Sequence, residues 1–259
     1  MMWTIRQRSD FGALRAIRRG AGPQALLLHG VGLRAEAWNA QIDALARHFA
    51  VIAPDMPGHG ESPHLTGPPT LAAYTDRLAE ALASPALIAG HSMGAMIALD
   101  LAIRYPSIAH GVAALNAIYR RSPAAATAVR ARAAALDGRA DVDPSGPLAR
   151  WFGGQASDEA DACRHWLTAT DPAGYRDAYR VFAQEDGPRA ADLGNLTCPA
   201  LFVTGAKEPN ATPAMSETMA ALAPMGRSWV LADAAHMMPM THAADVSTAL
   251  GDFFRRCAS

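Results

Sequence analysis

The sequence predicts an α/β protein, an open and mostly parallel sheet with helices on both faces. Three observations point there. Short apolar runs, each bounded by Gly, Pro or Asp, recur along the chain at Ala25–Leu28, Val51–Ala53, Leu87–Ala89, Val112–Leu115, Leu201–Val203 and Trp229–Leu231. Runs of that length and composition suit strands buried on both faces, as in a parallel sheet. Longer segments with helical spacing lie between them, and alternating strand and helix is the pattern of an open sheet covered on both sides. The alternation then stops between Ile118 and Leu196, where no strand-like run occurs.

Taken in order, Thr4–Arg8 and Ala13–Arg18 read as an opening hairpin around Asp10-Phe11-Gly12. Ala35–His48 places Trp38, Ile42, Leu45 and, just beyond it, Phe49 at helical spacing. Leu71–Ala83, Met93–Tyr105, Pro213–Ala223 and Ala243–Arg256 read similarly. Within the interrupting stretch, Ala124–Leu136, Leu148–Phe152, Asp158–Ala169 and Ala173–Glu185 read as helices. They are separated by breakers such as Pro144-Ser145-Gly146-Pro147 and Gly153-Gly154. The expected organisation is a core formed by residues 1–117 and 197–259, with residues 118–196 inserted as a helical lid. Such a lid lies over the carboxyl ends of the strands, where open α/β sheets bind ligands.

Composition narrows the function. The 259 residues are 50% hydrophobic and 18% charged with a net charge of −1, enough apolar content for a buried core. A balanced charge gives no bulk positive field for nucleic acid or an anionic membrane, so neither is expected as a partner. Cys163, Cys198 and Cys257 form no CxxC and no zinc spacing, and read as reduced thiols of a cytoplasmic protein. The start Met1-Met2-Trp3-Thr4-Ile5-Arg6 lacks the apolar core of a signal peptide. Ala86–Ile103 has the length of a membrane span, but it contains His91, Ser92 and Asp100 and is broken by Gly90 and Gly94. It reads as a buried strand running into a buried helix. No strand is followed by GxGxxG and no histidine pair has metal-site spacing, so no metal and no cofactor are expected.

The sharpest signal is Gly90-His91-Ser92-Met93-Gly94, between a strand-like and a helix-like segment. A G-x-S-x-G in that context puts a serine on a tight strand-to-helix turn, its hydroxyl above the sheet at a helix N-terminus. The Met93 N–H then faces a reacting carbonyl oxygen, and the helix dipole favours negative charge there. A Gly-rich turn at His29-Gly30-Val31-Gly32 can aim the Val31 N–H at the same point. A serine hydroxyl needs an adjacent base. His236, directly after the last strand, is the expected base. His29 is expected to hold its loop, His59 to shape a turn, and His242 to be a surface or capping residue. The imidazole needs a carboxylate to orient it. Glu208 is the only acid in the loop after Leu201–Val203; the rival position after Leu115 is held by Asn116, which carries no charge.

Together these residues resemble the α/β-hydrolase superfamily over nearly the whole chain. The marks are His29-Gly30, Asp55-Met56-Pro57-Gly58-His59-Gly60-Glu61-Ser62, the elbow pentapeptide, Gly205-Ala206-Lys207-Glu208 and His236. The resemblance implies an eight-stranded, mostly parallel sheet, with nucleophile, acid and base on Ser92, Glu208 and His236. It also implies oxyanion donors on the backbone of Val31 and Met93, a structural Asp55, and a monomer or homodimer. Two positions depart from the family: Glu208 stands where Asp is usual, and Ala235 where Gly often precedes the histidine. Serine at the elbow argues against the Asp-nucleophile members, the haloalkane dehalogenases and epoxide hydrolases. Within the superfamily the chain looks most like 3-oxoadipate enol-lactonases and carbon–carbon bond hydrolases, and Leu115-Asn116-Ala117 is similar to the enol-lactonase group.

The expected reaction is hydrolysis of a small or medium-sized, largely apolar ester or lactone through an acyl-enzyme. The alternatives are carbon–carbon cleavage, lyase or cofactor-free oxygenase chemistry on the same scaffold, or a non-catalytic small-ligand receptor. Trp151, Phe152, Trp166, Tyr175, Tyr179 and Phe182 are the expected pocket roof, and Met237, with Met238 and Met240, an adaptable wall. No basic cluster dictates an acidic substrate, although single arginines such as Arg150 or Arg176 suit a carboxylate.

Overall fold

The computed structural model describes residues 3–258; the Met1-Met2 start of the segment read for a signal peptide lies outside the described residues. Eight strands form one sheet: β1 (Ser9–Phe11), β2 (Leu14–Arg19), β3 (Gln24–Leu28), β4 (Ala50–Pro54), β5 (Ala86–His91), β6 (Ala109–Leu115), β7 (Ala200–Gly205) and β8 (Gly226–Leu231). Their spatial order is β1-β2-β4-β3-β5-β6-β7-β8. β1 and β2 pair antiparallel, as do β2 and β4; every later pairing is parallel.

Strand residues divide between the two faces with period two. Leu26, Leu28, Ile88, Val112 and Phe202 pack on one side with α2 (Leu71–Ala81), α3 (Met93–Arg104) and α9 (Pro213–Leu222). Leu27, Leu87, Ala113 and Val203 pack on the other with α1 (Asn39–Leu45) and α11 (Ala243–Ala258), where Phe253 and Phe254 sit. β8 differs from the expected doubly buried run, because it is the edge strand and Trp229 is only half-buried. The opening hairpin is present, but its first strand is Ser9–Phe11 rather than Thr4–Arg8.

Side-chain ion pairs take over in that N-terminal stretch. Arg8 is buried between two acids, with Nε 2.9 Å from Asp55 Oδ2 and Nη2 2.6 Å from Glu36 Oε2. Asp55 also accepts the Ala35 and Glu61 N–H groups at 2.9 Å each. It is fully buried, a structural hub of the turn that follows β4.

Between β6 and β7 the chain runs through α4 (Pro123–Ala134), α5 (Ser145–Phe152), α6 (Asp158–Ala169), α7 (Pro172–Gln184) and α8 (Ala190–Gly194). Local chemistry starts them. Ser122, Ser157 and Asp171 cap α4, α6 and α7 by accepting N–H groups three residues on, and Pro opens α4 and α7. α8 belongs with the sheet rather than with the expected lid, since Leu193 and Leu196 join the core that includes Met219 of α9. The remaining short helix, α10 (Met238–Thr241), follows the loop after β8. Among the described residues no helix is long and apolar enough to cross a membrane; the stretch 86–103 is β5 and α3.

Candidate active site

Ser92 alone joins β5 to α3, with φ 57° and ψ −119°. A non-glycine residue there is strained by about 1–3 kcal/mol. The elbow is held shut by the Ser92 N–H, which donates to the Leu115 carbonyl of β6 at 2.9 Å. Both flanking glycines are required by contact. A methyl at Gly90 would overlap the Gly94 carbonyl, and one at Gly94 would overlap the Leu28 carbonyl. The hydroxyl of Ser92 opens into a cavity of about 360 Å³.

His236 lines the same cavity from the loop between β8 and α10. Its Nδ1 lies 2.6 Å from Glu208 Oε2, on a carboxylate with no solvent exposure. The other oxygen, Oε1, accepts the Asn210 N–H at 2.8 Å and the Ala211 N–H at 3.3 Å. Burial pushes the Glu208 pKa up, but the imidazole and these donors outweigh it and hold it down at about 2. An ionised acceptor fixes the proton on Nδ1, which leaves Nε2 as a lone-pair base. Among the described residues the Ser92 hydroxyl takes no hydrogen-bond partner, so the pair is brought to one cavity without being joined.

Two residues that sequence reasoning did not place in the site hold the His236 backbone. The His236 carbonyl accepts from His91 Nε2 at 2.7 Å and from Asn116 Nδ2 at 2.8 Å. Burial, then the neighbouring His236, lower the His91 pKa to about 3, so this ring is neutral and carries its proton on Nε2. Thr204 Oγ1 is 3.0 Å from Asn116 Oδ1 and 2.6 Å from the Ala211 carbonyl, which ties Asn116 to the loop of Glu208. The one available signal for Asn116 was its place at the end of β6, beside the elbow; it adopts φ 52° there.

The Gly30–Leu33 loop faces Ser92. A methyl at Gly30 would lie 3.1 Å from Ser92 Cβ and 3.6 Å from its Oγ, so only glycine lets the backbone come this close with ease. His29 and His59 pin this loop to the turn after β4. His29 Nδ1 donates to the Gly30 carbonyl at 2.8 Å, while Nε2 accepts the Met56 N–H at 2.9 Å. His59 Nε2 accepts the Gly32 N–H at 3.0 Å. Burial lowers the pKa of both rings, that of His29 to about 3. His29 is thereby a structural part of the loop rather than a proton carrier. Val31 borders the cavity, and Met93 is the first residue of α3, where an N–H has no acceptor within its own helix. His242 sits at the start of α11, its carbonyl accepting from Val246 N–H.

Of the side chains expected around the pocket, Trp151, Tyr175, Tyr179 and Phe182 line it. Trp151 lies nearly parallel to the His236 ring, with centroids 5.9 Å apart and planes 17° apart. Phe152, Trp166 and Met237 do not line it. They pack in the apolar cluster between the helices and the core, where Trp166 meets Trp3 edge-on at 6.5 Å. Met238 and Met240 are likewise core residues. Arg176 is held by Asp177, with Nε 2.8 Å from Oδ1, and stays outside. Arg150 lines the cavity, together with Arg121 and Arg132, which sequence reasoning did not single out. Among the described residues no cluster of three or more His, Cys, Asp or Glu side chains is arranged to hold a metal.

Known proteins resemble this chain in sequence and in fold. The sequence matches the family described as the alpha/beta hydrolase family over residues 25–249. It is 37% identical over 251 residues to the (E)-2-((N-methylformamido)methylene)succinate hydrolase of Acinetobacter baylyi, covering 94% of this chain and 95% of that one. A malate-bound thermophilic esterase from Thermogutta terrifontis superposes with a TM-score of 0.87 at 26% identity, over 98% of this chain and all 100% of the other. The enol-lactonase from Burkholderia xenovorans superposes with a TM-score of 0.81 at 25% identity, over 96% and 99% of the two chains. With the fold, the elbow and these matches in agreement, the chain belongs to the alpha/beta hydrolase family and is a hydrolase.

Proposed function

We propose that the chain hydrolyses a small ester, lactone or activated amide through an acyl-enzyme on Ser92. One observation carries this reading: the strained elbow serine shares its cavity with an imidazole whose Nδ1–H is held 2.6 Å from a buried, ionised Glu208. His236 Nε2 takes the Ser92 proton as Oγ bonds to the substrate carbonyl carbon, and the carbonyl π pair moves onto oxygen. The Val31 and Met93 N–H groups stabilise that oxyanion. The oxyanion collapses, the bond to the leaving group breaks, and the imidazolium gives it the proton. Water, deprotonated by the same nitrogen, then attacks the acyl-enzyme, and Ser92 leaves with its proton restored. Glu208 stays ionised throughout and orients the ring. The helices between β6 and β7 act as the cap, with Trp151 over the imidazole. The names of the relatives support the breadth of bond type, since they span an amide-type, an ester and a lactone substrate.

A fluorophosphonate probe followed by peptide mapping tests the reading. The expected result is a single adduct on Ser92, with aryl-ester hydrolysis lost by at least 10³-fold in Ser92→Ala. Unchanged hydrolysis by Ser92→Ala sinks it. Intact ligand binding without any adduct marks the receptor instead.

A further inference from the structure

The cavity that holds Ser92 and His236 is lined by three guanidinium side chains, Arg121, Arg132 and Arg150, and by no carboxylate. Glu208 lies behind His236 and is engaged by it. The arginines differ in how far the protein has already answered their charge. Arg121 follows β6, and its side chain is 5% exposed. Its guanidinium stacks on Phe182 at 4.6 Å and donates from Nη2 to the Phe182 carbonyl at 3.1 Å. Its carboxylate neighbours are Asp186, 3.6 Å away, and Glu185, whose main-chain carbonyl also accepts from Nη1; burial lowers the Arg121 pKa, so its charge is only partly compensated. Arg132, on α4, is exposed; it donates from Nε to the Tyr179 hydroxyl at 3.0 Å and has no carboxylate within 4.0 Å among the described residues. Arg150, on α5, is half-buried, and its side chain has neither a hydrogen bond nor an ion pair among the described residues.

The other arginines of these helices pair with an acid or do not line the cavity. Arg176 and Arg189 each hold a carboxylate, at 2.7 Å and 2.6 Å. Arg132 and Arg150 instead converge on the cavity wall beside Tyr175, whose hydroxyl feels both charges. For half-buried Arg150 a cation without an anion is unfavourable, and on both arginines a planar guanidinium with free N–H edges matches a carboxylate in two-point geometry. The nucleophile and base come from strand ends, whereas these two cations come from the overlying helices. A ligand spanning the cavity therefore meets a reacting centre at one wall and positive charge at another.

We infer that the substrate carries a carboxylate separate from the bond that is cleaved, held by Arg132 and Arg150, with Arg121 adding to the field. This rests on the hydrolase reading above and names its substrate class: a small acid bearing an ester, lactone or activated amide, in place of the largely apolar group expected from the aromatic and methionine content. A cavity of about 360 Å³ has room for a short diacid derivative.

The test compares an aryl hemisuccinate, which keeps a free carboxylate, with the 4-nitrophenyl ester of pentanoic acid, a neutral ester of similar length. The parent is expected to favour the hemisuccinate in kcat/KM by tenfold or more. Arg132→Met and Arg150→Met are each expected to cut that preference severalfold, up to about tenfold, mainly through KM. Arg132→Lys and Arg150→Lys keep the charge and retain part of the preference. Equal use of the two esters by the parent, or Met variants that slow both esters by one factor, overturns the inference. Fluorophosphonate labelling of the same samples separates the failures. Ser92 labelled without any anionic preference overturns the arginine wall alone, whereas Ser92 unlabelled overturns the hydrolase reading and the substrate role with it.

Discussion

The side-chain amide of Asn116 donates to the main-chain carbonyl of His236 across 2.8 Å, and His91 Nε2 donates to the same oxygen across 2.7 Å. The proposed base is thus fixed at two points, its ring by Glu208 and its backbone by His91, the last residue of β5, and Asn116, just past β6. Because Ser92 and Leu115 are joined by a backbone hydrogen bond, the support of the base and the position of the nucleophile share one piece of sheet.

Removing the amide donor is expected to loosen His236 without emptying the cavity. Asn116→Ala should lower kcat by about tenfold with little change in KM, since a base displaced by a fraction of an ångström fails in the transition state more than in binding. Asn116 has φ 52°, where Ala is strained by about 1 kcal/mol and Gly is not. Asn116→Gly should therefore melt higher than Asn116→Ala yet show the same loss of kcat. Asn116→Asp should be slower than either, because it sets a carboxylate oxygen against the His236 carbonyl. Steady-state kinetics and thermal melts on the three variants check this; a kcat that follows stability instead of the donor would assign Asn116 to folding alone.

Glu208 yields the next expectation. In Glu208→Gln the amide must present its oxygen to the Asn210 and Ala211 N–H groups, which turns its NH₂ toward His236 Nδ1. That contact favours the tautomer with the proton on Nε2, which cannot accept from serine. Turnover should fall by about 10²–10⁴-fold with the fold intact. Glu208→Asp is shorter by one methylene and cannot span both the amides and the 2.6 Å contact, so its activity should lie between the two. Kinetics beside circular dichroism test the series, and parent-like turnover in Glu208→Gln would move the orienting acid elsewhere.

Much of this arrangement is legible in the chain because its signals are local. A strand of four or five apolar residues, a Gly-x-Ser-x-Gly turn and an Ala-rich helix each declare themselves within a short window. The arginine wall is not local: Arg121, Arg132 and Arg150 sit in a loop and two helices, spaced among other arginines that face solvent or pair with acids. Only the packing of α4, α5 and α7 selects which of them meet. Phe152 and Trp166 show the converse. Phe152, next to Trp151 on α5, and Trp166, on α6 beside Trp3, turn away from the cavity into the apolar cluster, a choice of helix face that composition does not encode. Asn116 was weighed only as a possible acid, and its neutral amide concealed a role that depends on a carbonyl 120 residues away.

Buried neutral histidines make the stability of the fold depend on pH. His29 and His91 have pKa values near 3, lowered mainly by burial, against about 6.5 in an unfolded chain. Their folded values lie below the unfolded ones, so between pH 6.5 and pH 3 the unfolded state binds protons that the folded state refuses. Stability is therefore full above pH 6.5 and falls as the pH drops through that window, by about 1.4 kcal/mol per pH unit for each proton. Glu208, near 2 in the fold, adds to the loss below about pH 4.5, because its unfolded carboxylate takes up a proton first. Urea unfolding at pH 7, 6 and 5 should show a slope of at least two protons by pH 5, since His59, also lowered by burial, adds to it. In His91→Gln the slope should drop by about one proton, because the titrating ring is gone. A stability that is level from pH 7 to pH 5 would show that these rings are not held neutral, and would remove the tautomer argument that assigns the His91 proton to the His236 carbonyl.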